Sequence, residues 1–157
     1  MRDRHVVVGA AIERQQGFED RLTEACPGVE IVETQPGDWN REKSQRVMEN
    51  FLVKYDNIDG VYSGDDNMGV GALNAAKAAG RADGIIFIGA TNFAVGYEAM
   101  GRGEYYGSIY QSPVDDAKNA LKTAIAVANE EDVPFLNYFD TPKITQENMK
   151  NFDKPVF

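Results

Sequence analysis

Five short apolar runs alternate with five helix-patterned segments along this chain, and no other feature limits its fold as much. The runs "HVVVGAA", "VEIVETQ", "IDGVYS", "GIIFIGA" and "YYGSIYQ" are rich in β-branched or aromatic residues and bounded by glycine or polar turns. Such runs predict buried strands. The first helix, "IERQQGFEDRLTEAC", carries Phe18, Leu22 and Ala25 on one stripe and is closed by Pro27-Gly28. The second follows the turn "PGDW" and turns Val47, Met48, Phe51 and Leu52 inward. The third, "DDNMGVGALNAAKAAG", takes Asp65 or Asp66 as its N-cap and stops at Gly80. A short fourth helix surrounds "FAVGYEAM" and is closed by "GRG". The fifth has Ser112 as cap and Pro113 at its first position. Its stripe of Val114, Ala117, Leu121, Ala124, Ile125 and Ala128 is expected to face inward. "VPFLNYFDT" is a candidate last strand, and the polar tail that follows has no assigned pattern.

Strict strand–helix alternation predicts the α/β class: a Rossmann-like parallel sheet with helices on both faces. In such sheets ligands bind outside the carboxyl ends of the strands. The loops after the strands are therefore where function is to be sought.

Totals narrow the choice further. A chain of 157 residues with 43% hydrophobic content makes one folded domain, read as spanning 1–157. No apolar run approaches the length of a bilayer span, and no basic region followed by an apolar core opens the sequence as a secretory signal would. With 25 acidic against 16 basic residues the net charge is −9, so there is no basic face for nucleic acid. The single cysteine, Cys26, allows neither an internal disulfide nor a zinc cluster, and reads as a small apolar residue near a helix end. With His5 as the only histidine, a Ser-His-Asp triad or a multi-histidine metal site has no material.

The loops after the strands hold, in order, Arg14, Trp39, the pair Asp65-Asp66, Thr91 with Asn92, and Gln111. A guanidinium offers a rigid fork of donors, a carboxylate accepts from hydroxyls, and an amide does both. An aromatic face packs against the C–H face of a sugar ring. Together these suit a carbohydrate pocket. Each residue also has a plain structural reading. Arg14 can pair with Glu13 or Asp65 on the surface, one of Asp65 and Asp66 caps a helix while the other stays available, Gln111 can satisfy backbone, and Trp39 can cover a helix end. What favours function is that all fall on one edge of the predicted sheet.

Nucleotide and catalytic readings have less support. In "GVGALN", Asn74 stands where a third phosphate-loop glycine belongs, and the segment lies inside a helix. Gly69, Gly71, Ala72, Ala75 and Ala76 more simply allow close helix–sheet packing. Asp65 and Asp66 are adjacent, so their side chains diverge and do not make a glycosidase pair.

The order of "IERQQGFED", "QPGDWNREKSQRVMENFL", "IDGVYSGDDNMGVGALNAAKAAGR", "IIFIGATN" and "YGSIYQSP" resembles the carboxy-terminal lobe of type I periplasmic sugar-binding proteins, the ribose-binding-protein group, from about His5 to Val133. "DDNMGVGAL" is similar to that family's N-D-x-M-A-x-G-A stretch. The resemblance implies two Rossmann-like lobes on a hinge, clamping a monosaccharide or similar polyol for delivery to an ABC permease. It also implies a periplasmic parent protein, with the amino-terminal lobe and signal peptide absent from this chain. Carried over, the ligand arginine falls on Arg14, the stacking aromatic on Trp39, the ligand-contacting place of the Asn-Asp pair on Asp65, and the hinge-side glutamine on Gln111. The family's Phe-Asp-Gly after strand four is here Ala90-Thr91-Asn92, which is expected to remove an aromatic and an acid from the pocket, with Thr91 left as a contact. Two rivals stand beside this reading. The effector lobe of a LacI-type repressor shares the fold but needs a DNA-binding headpiece. A small α/β enzyme needs a nucleophile–base pair that is not readable here.

Overall fold

The computed structural model describes residues 4–9, 12–138 and 140–155, the first of these as backbone. Six strands form one sheet: β1 (Arg4–Gly9), β2 (Val29–Thr34), β3 (Gly60–Ser63), β4 (Ile86–Ile88), β5 (Gly107–Ile109) and β6 (Lys143–Thr145). Their spatial order is β2-β1-β3-β4-β5-β6, parallel throughout except for β6, which runs antiparallel to β5 at the edge. The crossovers reverse direction between β1 and β3. A topological switch point opens a crevice at the carboxyl end of such a sheet.

Among the described residues, four α-helices connect the parallel strands, α1 (Ile12–Ala25), α2 (Arg41–Lys54), α3 (Asp66–Ala78) and α4 (Ala94–Gly101), and α5 (Pro113–Ala128) leads from β5 to the antiparallel β6. Their ends follow local chemistry. Asn40 caps α2, its Oδ1 accepting from Lys43 N at 2.8 Å, and Ser112 caps α5 by accepting from Asp115 N at 3.2 Å, with Pro113 at the first helical position. Gly80 follows α3 with a φ of 66°, a left-handed conformation that costs glycine little.

The core lies on one face of the sheet. Met48 and Phe51 of α2, Val70, Leu73, Ala75 and Ala76 of α3, and Met100 of α4 pack with Phe87, Tyr105 and Ile144. A Cβ on Gly71 would lie 2.3 Å from the Arg41 carbonyl oxygen, and one on Gly69 would lie 2.5 Å from Ser63 Oγ. The small residues of α3 thus admit a neighbouring helix as well as the sheet. Arg81 closes this layer. Its guanidinium donates to the carbonyls of Leu52, of Tyr55 at 2.9 Å and of Asp56 at 2.7 Å, satisfying oxygens at the end of α2. Arg81→Ala is expected to cost about 2 kcal/mol in chemical denaturation, since hydrogen bonds to charged donors contribute roughly 1.5–3.

The other face differs from the sequence expectation. α1 rests there through Phe18, whose ring stacks on Tyr62 with centroids 4.2 Å apart. The predicted inward stripe of α5 does not face inward: none of its residues is buried, and Val114, Leu121 and Ile125 are more than half exposed. Helical periodicity identifies an apolar face but not what covers it. An open cavity of about 470 Å³ lies beside α1, bordered by Phe18, Leu22, Ile86 and Ile88.

Two smaller expectations also fail. "VPFLNYFDT" forms no strand among its described residues (Phe139 lies outside them), while the unassigned tail supplies β6. Cys26 is exposed, just beyond the end of α1.

Candidate functional site

Each segment that leaves a parallel strand brings one or more side chains to a common cleft of about 250 Å³. It is lined by Arg14, Trp39, Asp65, Thr91, Phe93, Gln111, Pro113 and Asp116. Arg14 comes from the first turn of α1, Trp39 from the loop after β2, and Asp65 from the loop after β3. Thr91 and Phe93 follow β4, and Gln111 follows β5. All five residues singled out in the sequence are brought together.

Arg14 organises one side. Its Nη1 donates to the Gly64 carbonyl and its Nη2 to Gln111 Oε1 at 3.2 Å, and the guanidinium carbon lies 5.7 Å from the Trp39 ring centroid. The surface pairing with Glu13 or Asp65 considered from the sequence gives way to this bridge between the β3 and β5 loops. Trp39 is 53% exposed and sits with Asp38 in the left-handed region, at φ values of 55° and 51°. Its turn is held close to α2 and α3, because a Cβ on Gly37 would fall 2.3 Å from Ser44 Oγ. An Asp38–Lys43 ion pair adds a second tie. The ring therefore sits in a polar turn because the turn delivers it to the cleft.

Asp65 combines two roles that the sequence reading divided between two residues. Its Oδ1 caps α3 by accepting from Met68 N at 2.7 Å, and the same side chain lines the cleft. Burial raises its pKa above the usual carboxylate value, opposed by the Met68 N–H and the Arg14 charge. Asp66, the other member of the pair, is fully buried behind the cleft. Phe93 N and the Ser108 hydroxyl both donate to it.

Three lining residues were missed: Phe93, Pro113 and Asp116. The aromatic and the acid expected to be lost with Ala90-Thr91-Asn92 have counterparts in the cleft, since Phe93 and Asp116 both line it. The signal for Phe93 was present in "ATNF", two residues beyond Thr91. Asp116 could be found only by following α5 through its first turn. The Thr91 wall pairs with Tyr110 as an isolated parallel bridge, which carries β4–β5 pairing up to the cleft.

The periplasmic binding protein domain family matches residues 6–132. The chain belongs to that family. A putative rhizopine-binding protein of Rhizobium meliloti is 33% identical over 147 residues, covering 91% of this chain and 47% of the relative. The ribose import binding protein of Escherichia coli K12 is 31% identical over 124 residues, covering 79% of this chain and 41% of the relative. Among solved structures, an ABC transporter periplasmic solute binding protein of Actinobacillus succinogenes with bound D-allose superposes with a TM-score of 0.88 at 26% identity, over 96% of this chain and 56% of that one. This periplasmic binding protein chain thus spans about half the length of the family members it matches. The sequence expectations of family and α/β fold hold.

Proposed function

We propose that this chain is one lobe of a solute-binding protein that captures a monosaccharide or similar polyol for an ABC importer and catalyses no reaction. The observation that carries the reading is the convergence of Arg14, Trp39, Asp65, Thr91 and Gln111 on one cleft. Trp39 and Phe93 supply flat apolar surface for ring C–H groups. The guanidinium, carboxylate and amide supply donors and acceptors at fixed angles for hydroxyls. Relatives named for ribose and rhizopine binding, and a neighbour with D-allose bound, support the same ligand class.

A second lobe completes the clamp, and a permease in the membrane receives the solute from the periplasm. Two observations support a second lobe. The relatives are about twice as long, and α5 carries an apolar stripe of Val114, Leu121 and Ile125 that none of the described residues buries. No observation favours the repressor reading.

Titration of this chain with neutral pentoses, hexoses and inositols, followed by Trp39 fluorescence, tests the proposal. Half a clamp keeps only part of the contacts while the cost of capture stays largely the same. Millimolar dissociation constants are expected, about −4 kcal/mol. Micromolar binding would overturn the need for a second lobe, and a response to nucleotides but to no polyol would overturn the ligand class. Trp39→Ala should leave the thermal midpoint nearly unchanged, because the ring is half exposed and a core truncation of roughly 3–5 kcal/mol is not involved. The same change should weaken polyol binding about tenfold, read by calorimetry.

A further inference from the structure

The cleft wall after β4 is built in a conformation that residues such as these rarely adopt. Thr91 and Asn92 are consecutive non-glycine residues with φ values of 91° and 52°, and threonine is β-branched, which disfavours it there. Thr91 Oγ1 and Asn92 Oδ1 are also buried without a hydrogen-bond partner. A turn of this kind persists only where its surroundings over-determine it.

The surroundings that do so lie behind the cleft. Asp66 Oδ2 accepts from Phe93 N at 2.8 Å. The Ser108 hydroxyl lies 2.8 and 3.0 Å from the two Asp66 oxygens, and Ser108 Oγ accepts from Asn92 N at 3.1 Å. Two successive main-chain N–H groups of the wall therefore end on this pair. The buried Tyr105 hydroxyl and Asp66 Oδ1 both crowd against Gly89. Space for the carboxylate is made by two glycines: a Cβ on Gly89 would fall 2.5 Å from Asp66 Oδ1, and one on Gly96 would fall 2.6 Å from Asp66 Cγ. Asp66 is fully buried, Ser108 nearly so, and neither lines the cleft.

We propose that Asp66 and Ser108 are positioning residues of the cleft, holding the Thr91–Phe93 wall through the Asn92 and Phe93 amides, so that polyol affinity depends on two side chains that do not touch the ligand. The affinity part rests on the polyol reading above, whereas the hold on the wall does not. The titratable groups facing Asp66 are Asp65 on its own helix and Tyr105 from the segment before β5, with Ser108 of β5 and the Phe93 amide completing its surroundings. Burial, reinforced by the Asp65 charge, pushes Asp66 up to about 7, so the wall titrates near neutrality.

Amide exchange and chemical shifts measured by NMR from pH 5 to pH 9 test the hold, and titration with D-allose and D-ribose tests the affinity. In the wild type, the Asn92 and Phe93 amide signals should move with a common midpoint near 7. Asp66→Asn keeps an acceptor for Phe93 N and should abolish that titration while preserving protection of the Phe93 amide. Ser108→Ala should speed exchange of the Asn92 amide at least tenfold without affecting the Leu73 or Ala75 amides, and weaken polyol binding about tenfold. Should Ser108→Ala not fold, the wild-type titration and Asp66→Asn still decide the matter. Absence of any titration at Asn92 and Phe93, or unchanged exchange in Ser108→Ala, would overturn the hold. Altered exchange with unchanged polyol affinity would overturn the effect on binding. If no polyol binds at all while exchange responds as stated, the polyol reading fails and the hold on the wall stands.

Discussion

Raising the pH from 5 to above 7 is expected to remove about 3 kcal/mol of folding stability, opposite to the usual behaviour of carboxylates. Asp66 has an ordinary value of 3.8 when exposed and about 7 in the fold, because burial penalises its charged form more than the Ser108 and Phe93 hydrogen bonds favour it. The folded state therefore binds more protons than the unfolded chain between these two values, and stability falls as pH rises through the interval. The contribution is whole below 3.8 and gone above about 7, at roughly 1.4 kcal/mol for each pH unit between them. Glu33 works in the opposite sense, held at about 2 by Lys54, but its contribution is complete above its ordinary value of 4.5 and does not mask the decline. Asp65, also raised by burial, adds to it. Urea denaturation at pH 5, 6, 7 and 8 should show the fall, and Asp66→Asn should remove most of it. A wild-type stability that rises or stays level across that range would refute the assignment.

Arg14→Ala should have the largest effect on binding, about 100-fold. The guanidinium touches three walls of the cleft, through Gly64, Gln111 and the Trp39 ring. Losing a charged donor to ligand hydroxyls costs roughly 1.5–3 kcal/mol, and a Trp39 ring and Gln111 amide released from the guanidinium lose part of their own hold on the ligand. Together these come to about 3 kcal/mol, or two orders of magnitude in affinity. Arg14→Lys keeps the charge but not the planar fork, so it should recover only part of the loss. Polyol titrations of the three proteins measure this, and binding by Arg14→Ala within threefold of wild type would contradict it.

Much of the sheet was readable because buried parallel strands leave a strong mark. The runs around Val61 and Phe87 are short, apolar and bounded by glycine, the pattern of central strands in a parallel sheet. β6 left no such mark. Three residues at an edge need only one apolar side chain, and Ile144, fully buried between Lys143 and Thr145, is that residue. "VPFLNYFDT" failed in the opposite way: its aromatic content suggests a strand, yet Phe135 and Tyr138 are exposed. The stripe of α5 was legible as amphipathic, but its partner is a long-range fact that periodicity does not contain.

The cleft was legible to the extent that it follows from strand order. Carboxyl-end loops converge whatever their sequence, so a residue just after a strand is already placed near the others. Asp65 was harder, because capping and cleft-lining looked like alternatives while one carboxylate does both. Asp66 was harder still. Its place depends on Ser108, forty-two residues later, and on the room left by Gly96.

Titration of isotopically labelled protein with D-allose and D-ribose, read at every backbone and side-chain amide, locates the polyol site and tolerates millimolar affinity. Saturable shifts are expected, concentrated at the Trp39 indole N–H, the Gln111 side-chain amide and the backbone of Gly64 and Thr91 to Phe93. Shifts clustered instead around the opposite end of the sheet, at Tyr106, Thr145 and Asn148, or no saturable shift with any polyol, would contradict it.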